Sequence, residues 1–391
     1  MSDLKLHKFI IIGGDNINTL GVLRSLAEAG FKPELIMVNE RNPSFVLNSR
    51  YAKIVHKSTS IEESLDILLA IYGKERNKPF VYTTDDNHEQ LLDSHYDELK
   101  ESFYFFNAGA TGRISKYLNK DIQCDLARKI GFKVAPYEVV EHGKVPQQVK
   151  YPIISKTLNP TMPGWKRDVH IFYSEKELKD AYQTMISPKF LMQEYVNKKN
   201  EMPIHGFSCN DGQCVFLAYY SLYYRMEKDT FGFYNYYRRM NNSLLEDKIK
   251  KMIGGIGFSG CFEIEFIVGD NDDLFFLEIN LRPSMKNYAC TYGGINIPLL
   301  WAQSMMENKI CNESILSTKD FFTAMYEPGD YSQSVATKKI SLKQWLGEMC
   351  KADVKFLYNK YDKKPAIKYW SKVCLDILKY KFKHIVARNT Y

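Results

Sequence analysis

Apolar positions follow two rhythms along the chain. Short unbroken runs, Phe9-Ile-Ile-Ile12 and Phe80-Val-Tyr82, are interleaved with stretches of helical spacing such as Leu20, Leu23, Leu26 and Ala27. Unbroken runs suit strands buried on both faces, and the wider spacing suits helices. The pattern predicts strands over 8–14, 33–38 and 80–83 and helices over 19–30 and 61–72. These read as βαβ units of a parallel sheet. Further along it predicts helices over 119–131, 175–185, 244–253 and 299–306. Strands are expected over 151–156 and 190–196, the second running into a polar linker. Amphipathic helices over 341–350 and 369–384 carry basic and aromatic faces.

The segment Gly260–Pro283 changes to a period of two. Asp270, Asn271, Asp272 and Asp273 separate two runs of aromatic and β-branched residues, the pattern of a hairpin. A turn centred on Asn271 and Asp272 sets Glu265 opposite Glu278 and Glu263 opposite Asn280. Strict alternation then places Phe262, Ile264, Phe266, Phe275, Leu277 and Ile279 on one face. Glu263, Glu265, Glu278, Asn280 and Arg282 share the other. Like charges directly opposite destabilise a strand pair, and a cation is the usual remedy. A hard ion such as Mg²⁺ takes oxygen ligands and keeps room for substrate phosphates. The bland alternative is a solvated acidic face on an ordinary hairpin.

Composition narrows the rest. At 391 residues the chain has room for two or three domains. A net charge of +7 suits anionic substrates or an anionic surface but is too mild to argue for nucleic acid. Eight scattered cysteines form no CxxC and no zinc spacing, so free thiols in a reducing cytoplasm are expected. No leader pattern, no membrane-length apolar run and no internal repeat is present.

Several candidates admit two uses. Gly13-Gly14-Asp15 follows the first strand and suits either a phosphate at a helix start or a close strand–helix turn. It lacks a full GxGxxG, and Glu40 is the only acid placed to meet a ribose, so the packing turn is favoured. Asp85 and Asp86, at the end of the strand over 80–83, suit recognition of a substrate amine or a helix N-cap. Ala218–Arg239 is dense in tyrosine and arginine, which fits a binding surface or simply a packed strand pair with a loop. Arg225, Arg238 and Arg239 are its candidates for gripping a carboxylate or phosphate. The basic C-terminal tail suits packing on the body, with peripheral contact to an anionic membrane surface as the other use.

The hairpin resembles the metal-binding signature of the ATP-grasp ligases, an acidic residue on one strand followed by Glu-x-Asn-x-Arg on the next. The resemblance implies that Glu265, Glu278 and Asn280 hold Mg²⁺, with Mn²⁺ as an alternative. It implies that Arg282 steadies charge on the attacked acyl phosphate. Lys120 and Lys156 stand where that family keeps its two nucleotide lysines, and each acts as a point charge for phosphate. Gln193-Glu194-Tyr195-Val196 resembles the hinge along adenine, and Glu201 the acceptor of ribose hydroxyls. The proline-bearing loop Leu158–Asp168 departs from the glycine-rich loop of many members, so Lys166 or Arg167 would supply charge in place of backbone N–H groups.

Within the superfamily the N-terminal GGDxxxxLGVLRSLAEAG, Ser49-Arg50-Tyr51 and Thr84-Asp85-Asp86 look most like D-aspartate ligases and predicted ATP-dependent carboligases. The implied fold is α/β, and α+β in the ATP-binding part. It comprises a Rossmann-like domain (1–115), a lid (116–195), a central antiparallel domain (196–325) and a helical C-terminal extension (326–391). The implied activity joins a carboxylate to an amine with ATP, on a small-molecule, glycan or peptide precursor of the cell envelope. Amino-acid dipeptide ligases, carbamoyl-phosphate-type enzymes and a non-enzymatic ATP-binding scaffold are the alternatives.

Overall fold

Five parallel strands build the first sheet: β1 (Phe9–Gly14), β2 (Glu34–Val38), β3 (Ile54–Ser58), β4 (Phe80–Thr83) and β5 (Tyr104–Phe105). Their order is β3-β2-β1-β4-β5. The computed structural model describes residues 3–164, 166–226, 231–311, 315 and 317–388, the side chains of 378 and 380–388 excepted. Every residue of Phe9–Gly13 is buried, which is why the run carries no alternation. The strand order reverses between β1 and β4, and ligands of such sheets gather outside the carboxyl ends at that point.

Local chemistry sets the element ends. Asn16 caps the helix Ile17–Glu28 by accepting from the amides of Asn18 and Thr19. Ser60 does the same for Ile61–Tyr72 through the Glu63 amide. Gly131, at φ 93°, closes Lys120–Ile130 in the left-handed region that only glycine enters freely. Gly13 has a different reason. A Cβ there would lie 1.9 Å from Thr84 Oγ1, so the ends of β1 and β4 could not close. The favoured packing turn is therefore what the structure holds. Asp15 accepts from the amides of Arg41, Phe45 and Val46 and anchors a loop, and Glu40 pairs with Lys57.

The second sheet is antiparallel and small: β6 (Tyr137–Glu141), β7 (Ile153–Thr157), β8 (Ile171–Phe172) and β9 (Lys189–Glu194), in the order β6-β9-β7-β8. It has its own apolar cluster, including Val140, Ile153, Phe172 and Leu178. The third sheet comprises β10 (Lys198–Cys209), β11 (Cys214–Tyr223), β12 (Tyr234–Arg239), β13 (Gly260–Gly269), β14 (Leu274–Asn280), β15 (Phe321–Met325) and β16 (Val354–Lys355). Its order is β14-β13-β10-β11-β12-β15-β16, antiparallel except between β15 and β16. Among the described residues no helix is long and apolar enough to cross a membrane.

Two expectations change here. The polar linker after Val196 is the start of β10, whose Lys198 and Glu201 line the cleft while its backbone pairs with β13. The C-terminal extension is not purely helical: β16 adds an edge strand to the central sheet. That segment is also tied to the first domain. Arg24, fully buried, donates to Asp362 Oδ2 at 3.0 Å and to the carbonyls of Phe356 and Leu357 at 2.7 and 3.0 Å. The C-terminal helix spans Lys364–Arg388 and packs Ala366 and Trp370 inward, while the side chains of 380–384 lie outside the described residues. Ala218–Arg239 forms β11, β12 and their connection, with 227–230 likewise outside the description.

Candidate active site

The hairpin pairs as its turn predicts at the acidic end: Glu263 with Asn280, Ile264 with Ile279, Glu265 with Glu278. Beyond Glu265 the register slips by one, so Phe266 faces Phe276 and Ile267 faces Phe275. Leu277 is the bulged residue. Strict alternation therefore fails at the tip. Phe276, 2 % exposed, packs on Phe132 and Phe266 in the core. Phe275 and Leu277 lie instead on the carboxylate side, where Leu277 lines the cleft and Phe275 a slot beside it.

Three separate segments meet over this face. Gln123 fastens the helix Lys120–Ile130 to β14, donating to the Ile279 carbonyl at 3.0 Å and accepting from the Ile279 amide at 3.0 Å. That contact delivers Lys120, at the start of the helix, onto Glu278, with which it forms an ion pair. Lys156 comes from β7 of the lid and donates to Gln193 Oε1 at 3.0 Å. Asp86 comes from the switch point of the first sheet and grips Arg282 through both oxygens, at 2.7 and 2.9 Å. Between them lies a cleft of about 550 Å³. A narrow apolar slot of about 80 Å³ adjoins it, walled by Ile154, Ile171, Phe275 and the segment Gln193–Val196.

Charge in the cleft is unevenly satisfied. Burial, then the neighbouring Glu263 and Glu278 carboxylates, raises Glu265 well above the usual carboxylate range. Glu278 is partly buried, and against that Lys120 holds it below that range. Burial and the adjacent Lys120 ammonium lower Lys156. An added cation relieves Glu265 and an added anion relieves Lys156. Asn280 Nδ2 donates to Glu265 Oε1 at 3.1 Å, which holds the amide beside the carboxylates. Two carboxylates and an amide oxygen suit an ion that keeps phosphate and water ligands, as Mg²⁺ does. Among the described residues no three His, Cys, Asp or Glu side chains form a closed metal cage.

The other predicted residues fall into place or out of it. Glu201 lies in the cleft, paired with Lys198 at 2.6 Å. The Glu194 amide donates to the Pro136 carbonyl and that of Tyr195 to Pro152, both at 2.8 Å, so two of the amides expected to meet adenine already bond within the small sheet's own segment. Lys166 lines the cleft, whereas Arg167 donates to the Thr184 carbonyl on the lid's exposed side, and Trp165 lies outside the described residues. Asp85 is a cap: it accepts from the His88 amide at the start of Asp86–Ser94. Arg225 does not reach the cleft. It pairs with Asp330 and Glu348 and clamps the C-terminal segment. Arg238 lies over the Phe321 ring at 5.1 Å, and Arg239 donates to the Ala218 carbonyl.

Sequence reasoning missed Lys286 and His205 and undervalued Glu263. Glu263 is buried, accepts from Ser284 Oγ at 2.8 Å and lies 3.2 Å from His205 Nδ1. Burial, with Lys286 close by, lowers His205 to about 4, against the pull of Glu263. A histidine in a strand and a lysine in a loop carry no pattern of their own. The only available signal was register, since His205 pairs with Glu263 across β10 and β13.

The parallel sheet, the lid with its own core and the carboxylate-bearing antiparallel sheet together define the ATP-grasp fold. Comparison with known proteins agrees. The solved L-amino acid ligase from Bacillus licheniformis matches with a TM-score of 0.62 at 12% identity, over 81% of this chain and 79% of that one. N5-carboxyaminoimidazole synthetase from Staphylococcus aureus in complex with ADP matches with a TM-score of 0.62 at 16% identity, over 92% of each chain. Biotin carboxylase from Campylobacter jejuni matches with a TM-score of 0.62 at 18% identity, over 81% of this chain and 74% of that one. In sequence the chain is 25% identical over 181 residues to N5-carboxyaminoimidazole ribonucleotide synthase of S. aureus, 44% of this chain. It thus spans about half the length of the curated relatives it matches. No protein-family model matches.

Proposed function

We propose that the chain is an ATP- and Mg²⁺-dependent carboxylate–amine ligase working through an acyl phosphate. The observation that carries this reading is the convergence of Lys120, Lys156, Glu265, Glu278 and Arg282 on one cleft from segments far apart in sequence. In this reading the slot beside Gln193–Val196 takes the adenine and Lys120 and Lys156 hold the phosphates. Lys120 first leaves Glu278, exchanging a carboxylate for phosphate oxygens. Bound at Glu265, Glu278 and Asn280, Mg²⁺ would neutralise charge on the transferring phosphoryl group. Arg282, fixed by Asp86, aims its guanidinium at the oxygen of the attacked carbonyl. The amine attacks, phosphate leaves, and the lid sheet excludes the water that would hydrolyse the intermediate.

The resemblance to D-aspartate ligases makes amino acids the first carboxylates to test and envelope precursors the first amines. A second reading has a specific support: the curated relatives are carboxyaminoimidazole ribonucleotide synthases, and a solved neighbour holds MgADP with bicarbonate. There bicarbonate would be the activated carboxylate. The test is nucleotide product with pooled amino acids, amines and bicarbonate, each omitted in turn. ADP and phosphate that require both a carboxylate and an amine support the ligase. Dependence on bicarbonate alone favours the second reading, and AMP with pyrophosphate contradicts both.

A further inference from the structure

One buried cation in the cleft makes no short polar contact. Lys286 follows β14 and is 4 % exposed. Its ammonium carries three donors. The nearest acceptors are Tyr223 Oη at 3.4 Å and Glu263 Oε2 at 3.7 Å. A charge-assisted N–H···O bond is about 2.7–2.9 Å, so neither contact is a short one. Glu263, by contrast, is held by Ser284 and lies against His205. Against its burial, the Glu263, Glu265 and Glu201 carboxylates hold the ammonium above the usual lysine value, yet none meets it at short range, and it lines the cleft beside Ser284 and Met285. Burying an ammonium costs several kcal/mol unless an anion meets it with good geometry.

ATP does not obviously supply that anion. The phosphate lysines enter from the helix Lys120–Ile130 and from β7 of the lid. Lys286 enters from the turn after β14, over β13, with Tyr223 from β11. A triphosphate held by Lys120 and Lys156 thus leaves Lys286 to the second substrate. The arginines first picked for this task, Arg225 and Arg238, point elsewhere.

We propose that Lys286 and Tyr223 recognise a free carboxylate of the co-substrate, one that is not itself activated. Resting on the ligase reading of the cleft, this makes Lys286 a specificity residue. It narrows the co-substrate to amino-acid-like compounds, in which an amine or activated carboxyl group sits a few bonds from a spare carboxylate. Such a carboxylate would give the ammonium a short charge-assisted bond and accept from the Tyr223 hydroxyl.

The experiment uses the full chain loaded with Mg²⁺ and a non-hydrolysable ATP analogue. Pooled L- and D-amino acids and their α-carboxamides are screened by saturation-transfer NMR, and hits are titrated against the wild type and Lys286→Met. The proposal expects an acid that binds at least about tenfold tighter than its carboxamide, roughly 1.4 kcal/mol of discrimination. In Lys286→Met that preference disappears while affinity for the carboxamide and the nucleotide stays within about twofold. An unchanged acid-to-amide ratio in the variant overturns the proposal and assigns Lys286 to neutralising Glu263. Failure of every acid to outbind its amide overturns it as well. Should Lys286→Met not fold, Tyr223→Phe must weaken the acid alone by about fivefold, the worth of one hydrogen bond. A wild-type chain that does not bind the nucleotide defeats the ligase reading instead.

Discussion

Arg282 holds both carboxylate oxygens of Asp86, 196 positions earlier in the chain, at 2.7 and 2.9 Å. This bidentate pair joins the carboxyl end of β4 to the strand that carries Glu278 and Asn280. It fixes the plane of the guanidinium and couples the first domain to the cleft. Asp86→Ala leaves a largely buried arginine without its partner, and urea unfolding should show a loss of about 3 kcal/mol. The rate of ADP formation should fall by about two orders of magnitude, as it does when a positioned transition-state donor is lost. Unchanged stability and rate would show that the pair does nothing.

The bulge at Leu277 makes adjacent residues behave differently. Phe276→Ala opens a cavity in the core and should cost about 3–5 kcal/mol. Leu277→Ala, on the cleft side, should leave stability within about 1 kcal/mol. It should instead weaken nucleotide binding, read by titration with a fluorescent ADP. Strict alternation predicts the reverse pattern of costs.

Lowered to about 4 by burial and by Lys286, with Glu263 pulling the other way, His205 is neutral in the folded chain at neutral pH. Its unfolded value is near 6.5, so between pH 6.5 and 4 the unfolded chain binds the extra proton. Stability from this group is full above pH 6.5 and falls as the pH drops towards 4, by at most about 1.4 kcal/mol per unit. Denaturation series across that window should show a shallower slope in His205→Gln.

Arg24 binds Asp362 and two carbonyls of the C-terminal segment without exposure to water. Arg24→Met should destabilise the chain by about 3 kcal/mol, because the buried Asp362 carboxylate loses its counter-charge and keeps only the Ser49 hydroxyl and the Arg50 amide as donors. Limited proteolysis should then cut near residues 356–364 faster than in the wild type.

Much of the fold was legible because it rests on local signals. The runs over 61–72 and 80–83 matched their elements to the residue. The hairpin register was legible at Glu265 and Glu278 because turn formers fixed it, and illegible at Leu277 because a bulge leaves the local pattern unchanged. Lys198–Cys209 read as a linker at its start because Lys198 and Glu201 serve the cleft and Lys199 meets solvent, which leaves no apolar alternation. Arg225 and Arg238 were misread for a similar reason: an arginine among tyrosines looks alike whether it meets a ligand or Asp330. Lys286 was silent because its meaning depends on Tyr223 and Glu263, which come from other strands.

The central claim is that a triphosphate and its metal lie between the lid lysines and the hairpin carboxylates. A crystal grown with an ATP analogue and Mn²⁺, measured at the manganese edge, tests it directly. The account predicts an anomalous peak within coordination distance of Glu265, Glu278 and Asn280, with Lys120 swung from Glu278 onto phosphate. Nucleotide and anomalous signal found together at any other place, with the Lys120–Glu278 pair intact, would contradict it.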